Sequence, residues 1–378
     1  MKKIAVRSVK ILSLLLALAI CIGFLQTYVL CHADQNRERV RGFYLEDKDS
    51  LDVVLIGASD VYAGFSSLYA YKNYGFTSYP VATQSNVVLS YKTQVKEAVE
   101  RQHPKLIVIE INGALYGKES DLTKEANFRN YSDNIPMSYN KYELISENKD
   151  SNQLEYYLPI VKYHSVWNDF PKGIAWSYTL LKDDIRGYNY LKGSKSRSVQ
   201  FKPKEKTYND TLLNDDGKDD FSPNSEKCFR ELLEYCKSEN INVVFTRFPH
   251  IVVKSTYARF HRSNTAGDII SEYGFKYYNF ERDFEKTGLD INKDFYNYDH
   301  LNVYGQQKFT DYFCKILTEE HGITPSDLTD SQKEEWDTCA KYYDAYYKYN
   351  VDCINNKQSK DISEYFRNIE VMEDKYMD

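Results

Sequence analysis

The chain has 378 residues and a formal net charge of −6, long enough for one large domain with insertions or for two domains. With 42% hydrophobic and 28% charged residues, and only 16 Gly and 9 Pro, the composition is globular and excludes a collagen-like, a disulfide-scaffold or a wholly disordered chain. The basic residues near the amino terminus have no acidic counterpart before residue 34, so the acidic excess lies in the remainder of the chain. An acidic body argues against binding to nucleic acid.

The amino terminus predicts a membrane anchor. Residues 11–31 contain no charge, and as a helix this segment would span about 31 Å, the thickness of a bilayer core. The positive-inside rule then makes residues 1–33 a cytoplasmic tip with a single-pass transmembrane signal anchor and places the rest outside the cytoplasm. The alternative is a signal peptide cleaved after Ala33, but the segment is long for one and lacks an A-x-A pattern.

Cysteine and histidine usage favours neither a disulfide framework nor a metal site. Two of the 7 cysteines lie in the anchor segment, which leaves an odd number outside it. No C-x-x-C, H-E-x-x-H or H-x-H motif occurs. We therefore expect no metal and no cofactor.

Short apolar runs separated by stretches of helical periodicity predict an α/β fold. The runs that indicate buried strands are residues 52–56, 106–111, 241–248 and 276–280. Apolar side chains three and four residues apart predict helices over residues 87–99, 222–236 and 305–319. This alternation predicts a mostly parallel sheet with helices on both faces.

Two segments do not follow this alternation. Residues 114–221 are rich in Tyr, Asn, Asp and Lys without clear strands, which predicts a large insertion at the ligand-facing rim of the main domain, residues 34–321. A capping box at Thr329 and an apolar stripe predict a docked helical appendage over residues 322–378, with a last helix at about 362–376. Inside the insertion, a basic run predicts a solvated loop or a surface for an anionic wall polymer: Lys192, Lys195, Arg197, Lys202, Lys204 and Lys206.

Two polar segments carry the candidate chemistry. The first strand run ends in Gly-Ala-Ser-Asp, which places the hydroxyl and the backbone N–H of Ser59 at the rim where open α/β sheets bind ligands. Far downstream, residues 297–302 read Asn-Tyr-Asp-His-Leu-Asn, and His300 there is a candidate general base. Each signal is weak alone, since serines cap helices and single histidines are more often structural. Together they are a stronger signal for a serine nucleophile with a histidine base, because their order and placement match one known arrangement.

The order and placement of these segments resemble the SGNH/GDSL-like hydrolase superfamily, specifically its extracytoplasmic branch related to DltD and the alginate O-acetylation proteins. In that branch a G-[SA]-S-x motif carries the nucleophile, here Ser59. The closing D-x-x-H-L-N-x-x-G-x-x-K-F motif is matched here at Asn297, His300, Leu301, Asn302, Gly305, Lys308 and Phe309. The resemblance covers most of residues 50–320 and implies an SGNH (flavodoxin-like) three-layer sandwich in which the insertion follows the third strand.

The sequence departs from that branch at the acid of the triad. Asn297 stands where the branch has Asp, three residues before His300, while Asp299 and Asp294 lie close by in the sequence. An amide can orient a histidine but stabilises the imidazolium less than a carboxylate does. Which of the three residues supports His300 stays open at this point.

The resemblance also implies oxyanion and substrate contacts. The second oxyanion glycine of the superfamily is missing near Thr83, and the G-x-N-D block is reduced to Asn112. The candidate oxyanion donors are therefore the Ser59 N–H, Asn112 and the backbone at Thr83. Candidate substrate-binding residues in the insertion are Arg129, Tyr163, His164 and Trp167.

These features predict a membrane-anchored extracytoplasmic serine acyl-ester enzyme of the cell envelope. The resemblance implies an O-acyltransferase, with acetyl as the expected acyl group, or an esterase. Its substrate would be a cell-envelope polysaccharide or a teichoic-acid-like polymer, with a multi-span membrane O-acyltransferase as partner, in a Gram-positive bacterium. The alternative is a non-catalytic surface glycan-binding or assembly protein that keeps a degenerate SGNH fold, and the missing acid favours it.

Overall fold

The computed structural model describes residues 2–29, 34–165, 170–357 and 375–376. At its centre lies an open sheet of five parallel strands in the order β2-β1-β3-β4-β5. The strands are β1 Val53–Gly57, β2 Ser78–Ala82, β3 Leu106–Glu110, β4 Val243–Arg247 and β5 Lys276–Asn279. Winding reverses between β1 and β3, and such a reversal places a ligand crevice at the carboxyl ends of these strands. The predicted α/β fold with a parallel sheet is confirmed.

The sequence analysis missed β2. Its five residues, Ser-Tyr-Pro-Val-Ala, hold a proline and no continuous apolar run, so periodicity gives no signal. Proline is tolerated there because β2 is an edge strand and pairs only with β1.

Both faces of the sheet are buried, which explains why its strands read as apolar runs rather than as alternating patterns. On β1, the side chains of Val54 and Ile56 belong to one apolar cluster, and those of Val53 and Leu55 belong to another. The first cluster includes helices that follow β2, precede β4 and follow β4. The second includes the helix that follows β5. The sheet is therefore the middle layer between two helical layers.

Helices make up most of the chain outside the sheet. The amino-terminal half holds α1 Lys2–Phe24, α2 Gln35–Leu45, α3 Ser59–Gly64, α4 Ser67–Tyr74, α5 Tyr91–Gln102, α6 Glu119–Leu122, α7 Glu125–Ser132 and α8 Tyr139–Asn148. The remainder holds α9 Leu154–Tyr157, α10 Pro159–Tyr163, α11 Phe170–Arg186, α12 Pro223–Ser238, α13 Tyr257–Glu272, α14 Val303–Glu319 and α15 Asp330–Asn355. A π-helical turn, Leu25–Val29, follows α1 directly.

The long stretch between β3 and β4 begins with helices. The described residues from 114 to 186 form α6 to α11 with connecting turns, whereas residues 187–221 are mostly irregular apart from the 3₁₀ segment Asn209–Asn214. None of these described residues adds a strand to the sheet. The interpretation of the basic run as a solvated loop is wrong for its first member. Lys192 is fully buried, 2.8 Å from Glu46, and it also pairs with Glu335 on α15.

The helix after residue 329 is docked on the main body. The hydroxyl of Thr329 accepts a bond from the N–H of Gln332, and the Gln332 side chain accepts one from the N–H of Thr329, so the predicted capping box is present. Trp336 of α15 is 1% exposed and belongs to the same apolar cluster as Val54 and Ile56 of β1. The predicted last helix at 362–376 lies outside the described residues except for its final two positions.

The amino-terminal helix is the candidate membrane segment. Within residues Ile4–Val29, an 18-residue window has a mean hydropathy of 2.4, and none of that window is buried inside the protein. By length and composition this segment is able to span a bilayer as an anchor or to serve as a signal sequence.

Candidate active site

Ser59 lies at the carboxyl end of β1, where the strand turns sharply into α3. The turn requires glycine at position 57, because a Cβ there would lie 2.4 Å from Val61 Cγ2 and 3.0 Å from Glu110 Cβ. Ser59 is the first residue of α3, so its backbone N–H precedes the helical hydrogen-bond ladder. Among the described residues, no backbone carbonyl accepts a hydrogen bond from the Ser59 N–H.

His300 lies in a compact loop between β5 and α14. An isolated bridge between Phe295 and Leu301 closes this loop, and the Tyr296 N–H donates to the His300 carbonyl at 2.8 Å. Leu301 is 2% exposed and belongs to the apolar cluster beneath this edge of the sheet. The backbone of His300 is therefore held on both sides.

The structure brings Ser59, His300 and Asn297 together. His300 Nε2 lies 2.7 Å from Ser59 Oγ, and His300 Nδ1 lies 2.9 Å from Asn297 Oδ1. Asn297 Oδ1 also accepts the backbone N–H of Asp299 at 2.9 Å. Because the Asp299 N–H is always a donor, the atom of the Asn297 amide that faces Asp299 and His300 must be the oxygen. This oxygen then accepts a hydrogen bond from the Nδ1–H of His300. The Nε2 lone pair of a neutral His300 is then directed at the Ser59 hydroxyl.

Electrostatics keep His300 neutral. Burial, together with the positive charge of Arg197, lowers the pKa of His300 to about 4. Arg197 stacks 5.0 Å above the ring of Tyr296, the residue that pairs with the His300 backbone. A neutral imidazole is the form that accepts a proton, so the base is available at and well below neutral pH.

Neither neighbouring aspartate takes the place of the missing acid. Asp299 pairs with Arg259, and although burial alone would raise the pKa of Asp299, this ion pair holds it well below its usual range. Asp294 is 1% exposed, lies 2.6 Å from Lys308 Nζ, and accepts the Asp290 N–H at 2.8 Å. Of the three residues that the sequence left open, Asn297 is therefore the one that contacts His300 Nδ1.

The other residues of the closing motif build the scaffold under His300. Asn302 caps α14 by accepting the N–H groups of Tyr304 and Gly305. A Cβ on Gly305 would lie 2.1 Å from the Asp294 carbonyl oxygen, so the helix can approach the loop only with glycine there. Lys308 fixes Asp294, and Phe309 is fully buried. The motif spacing is thus explained by the packing of α14 on the His300 loop.

A buried ionic network lies directly behind Ser59, and the sequence analysis did not identify it. It joins residues from the carboxyl ends of four strands, all at most 3% exposed: Asp60, Glu110, Arg247, His250 and Glu281. Arg247 lies 2.8 Å from Glu281 and 3.2 Å from Glu110. His250 lies 3.0 Å from Glu281 and 3.4 Å from Asp60. One sequence signal could have revealed this network. Glu110 and Arg247 are charged residues at the ends of the otherwise apolar strands β3 and β4.

The groups of this network shift one another's pKa. Burial and the neighbouring Asp60 raise the pKa of Glu110 well above its usual value. Burial would lower the pKa of His250, but its carboxylate partners Asp60 and Glu281 raise it overall. Arg247 and His250 lie among the three carboxyl groups, as expected for buried charges, which are paired. The network connects the ends of the strands and holds Asp60, the residue that follows Ser59.

The predicted second oxyanion donors lie at the same edge of the sheet. In the strand register, Gly57 is paired with Ala82, so Thr83 corresponds to Ala58, the residue before Ser59. Asn112 lies two residues beyond the end of β3, and its backbone N–H donates a hydrogen bond to the side-chain carboxylate of Glu110 at 2.8 Å. This placement is compatible with a role near Ser59, which remains a prediction for both residues.

Two of the predicted substrate-binding residues, Arg129 and Tyr163, contact the same carboxylate, Asp133. Arg129 is 6% exposed, lies between Glu125, Asp133 and Glu155, and stacks 3.8 Å above Tyr156. This guanidinium therefore connects helices inside the protein, and its assignment to substrate stays a prediction. The Tyr163 hydroxyl donates to Asp133 at 2.6 Å, and the ring of the exposed His164 contacts the Val161 carbonyl. Trp167 lies outside the described residues.

No protein-family model matches the chain, and comparison with curated proteins yields no significant match. In the part of the chain that the structure describes, no group of three or more His, Cys, Asp or Glu side chains is arranged to hold a metal ion. The chemistry of the site must therefore be argued from the geometry of its own residues.

Proposed function

We propose that this protein is a membrane-anchored, extracytoplasmic serine acyl-ester enzyme with an SGNH-like fold. The observation that carries the proposal is the hydrogen-bonded series from Ser59 Oγ to His300 Nε2, and from His300 Nδ1 to Asn297 Oδ1. A hydroxyl, a correctly oriented neutral imidazole and a group that fixes its tautomer are the parts that nucleophilic serine catalysis requires.

In the first half of the reaction, His300 Nε2 takes the proton of Ser59 as Oγ attacks the ester carbonyl. The new Oγ–C bond places a negative charge on the former carbonyl oxygen, and the N–H of Ser59 is positioned to stabilise it. Collapse of this intermediate breaks the ester bond, and the leaving alcohol takes the proton from the imidazolium. The product is an acyl group on Ser59.

In the second half, His300 accepts a proton from an incoming hydroxyl, which attacks the acyl carbonyl and releases Ser59. If the hydroxyl belongs to a sugar the reaction is acyl transfer, and if it belongs to water the reaction is hydrolysis. The resemblance to the DltD-like branch and the apolar amino-terminal helix favour O-acyl transfer, with acetyl as the expected group, to a cell-envelope polysaccharide or a teichoic-acid-like polymer. The same resemblance suggests a multi-span membrane O-acyltransferase as acyl donor, in a Gram-positive bacterium.

The direct test is turnover of p-nitrophenyl acetate together with labelling by a fluorophosphonate probe. We expect the wild-type chain to show both, Ser59→Ala to lose both, and His300→Ala to lose at least about 100-fold in turnover, since general-base catalysis contributes about 10²- to 10⁴-fold. Ser146→Ala and His103→Asn are matched controls, because both residues are exposed on the surface, and asparagine tolerates the left-handed backbone at position 103. Undiminished turnover in Ser59→Ala would overturn the proposal.

A second candidate function is favoured by Asn297. Loss of the triad acid is expected in a protein that binds a glycan without turning it over, because an amide stabilises the imidazolium less. Such a protein would resist the fluorophosphonate probe and would keep its glycan affinity in the Ser59→Ala variant. Glycan binding without serine labelling would therefore select this candidate over the enzyme.

A further inference from the structure

Helix α11 presents its apolar side chains outward. Tyr178, Leu181 and Ile185 are 58%, 39% and 78% exposed, whereas Leu180 is 1% and Asp183 6% exposed. Side chains three, four and seven residues apart share one face of a helix, so the three exposed residues form a single stripe. An ordinary surface helix has the opposite arrangement, with its polar side chains outward.

The inward face of α11 is attached to the end of the apolar amino-terminal helix. Ser177 donates to the Tyr28 carbonyl, and the Tyr28 hydroxyl donates to Asp184. Arg41 of α2 pairs with the same Asp184, and Arg37 donates to the Thr27 carbonyl at 3.0 Å. The turn Leu25–Val29 is therefore bound to the body rather than only joined to it through the chain.

A second element beside that turn also exposes apolar side chains. Helix α10 contacts the turn Leu25–Val29, and on or next to it Val161 is 43% and Leu158 37% exposed. We call Leu158, Val161, Tyr178, Leu181 and Ile185 the anchor-side surface.

Depth in the membrane follows from the length of the apolar helix. Its charge-free part, from Ile11 to Val29, extends about 28 Å as a helix, close to the thickness of about 30 Å of the hydrocarbon core of a bilayer. The last turn must then lie at the membrane–water boundary, and α11, which is packed on that turn, lies at a similar depth. Lys182 Nζ lies 4.7 Å from the centre of the Tyr178 ring. Tyrosine and lysine side chains are typical of the membrane–water boundary.

We propose that the anchor-side surface docks on the lipid bilayer and inserts Leu181 and Ile185 into the boundary of headgroups and acyl chains. This inference rests on the membrane anchoring included in the proposed function. A lipid surface is favoured over a protein partner, because the anchor brings these side chains to the boundary whether or not a partner is present. Two attachments, the helix and this surface, restrict rotation of the body about its anchor.

The test uses the full-length chain in phosphatidylcholine–phosphatidylglycerol vesicles, with Cys21→Ala and Cys31→Ala as background. An environment-sensitive NBD label is attached at Ile185→Cys or Leu181→Cys. The matched control is Leu213→Cys, which replaces an apolar residue 52% exposed outside the anchor-side surface. We expect NBD at 181 and 185 to shift to the blue and to lose at least half of its fluorescence to lipids carrying a shallow doxyl quencher. Label at 213 should remain unquenched after subtraction of the background labelling.

Retention in the vesicle pellet and p-nitrophenyl acetate turnover are measured on the same samples, so that failures can be told apart. Retained, active protein without quenching at 181 and 185 overturns this inference and leaves the proposed function standing. Quenching in vesicles but not in native membranes assigns the surface to a protein partner and also overturns it. If the protein is lost from the pellet, the membrane anchoring is overturned, and this inference falls with it. If the protein is retained and its label is quenched but it shows no turnover, only the proposed enzymatic activity is contradicted.

Discussion

At the scale of single residues, Asn297 is central to the proposed mechanism. It accepts the Nδ1–H of His300 as an aspartate would, so the tautomer that the proposed catalysis needs is kept. It carries no charge to stabilise the imidazolium that would form if Ser59 attacks as proposed. Together with burial and Arg197, this leaves the pKa of His300 at about 4. The expected catalyst is therefore slow and tolerant of acid.

Replacing Asn297 by aspartate should accelerate the enzyme. The carboxylate would still accept the Asp299 N–H and would stabilise the imidazolium, so we expect kcat/KM to rise about 10- to 1,000-fold, since the reverse change in a serine triad costs about 10⁴-fold. Asn292→Asp, an exposed position in the same region, adds the same charge without a bond to His300 and should leave turnover unchanged. Equal effects of the two variants would contradict the role of Asn297.

The pH profile supplies an independent test of the same residue. A base is active when unprotonated, so wild-type turnover should fall only as the pH drops through about 4, the pKa of His300. In Asn297→Asp the new negative charge raises the pKa of His300, and the acid limb should move to higher pH. An acid limb at the same pH in both proteins would contradict this account.

At the scale of elements, one buried lysine fastens α15 to the body. Lys192 is fully buried between Glu46 and Glu335, and its ammonium lies 4.7 Å from the centre of the Trp336 ring. Burial raises the pKa of Glu46 to about 7 even though Lys192 opposes the shift. Lys72 and Asp344 form a second ion pair between α4 and α15, but this pair is exposed.

The two lysines should differ in their contribution to stability. Lys192→Met leaves two carboxylates without their partner, and we expect the free energy of unfolding to fall by about 3–5 kcal/mol. Lys72→Met removes a solvated pair and should cost less than about 1 kcal/mol. Urea unfolding of the detergent-solubilised chain measures both. Similar midpoints for the two variants would show that α15 does not depend on the buried pair.

At the scale of the whole molecule, the apolar amino-terminal helix bears on the proposed location of the site. If this helix is an anchor, the basic residues before it favour a cytoplasmic amino terminus, and we expect Ser59 and His300 to lie outside the cytoplasm by the positive-inside rule. In intact cells, a membrane-impermeant maleimide should label Ser146→Cys more strongly than the wild-type chain, and Lys3→Cys should react only after lysis. Labelling of Lys3→Cys in intact cells would contradict this orientation, and a mature chain lacking residues 1–33 would establish cleavage instead.

Much of the fold could be predicted because its strands are buried on both faces and therefore read as apolar runs. The exception was β2, whose burial comes from its position in the sheet and not from an apolar run of its own. The burial of Lys192 was missed for a similar reason. Its two carboxylate partners lie more than a hundred residues away in the sequence, at Glu46 and Glu335.

The sequence by itself determined the apolar amino-terminal helix and the parallel α/β sheet, because composition and local periodicity carry those signals. It suggested Ser59 and His300 as a pair only through the resemblance of their motifs to a known arrangement. Only the tertiary structure decided that Asn297, and not Asp299 or Asp294, faces the imidazole. Within residues 294–300, side chains three, one and six positions before His300 are equally plausible partners from spacing alone. Their directions are fixed by Arg259, Lys308 and the packing of Gly305 against the loop, contacts that exist only after the chain has folded.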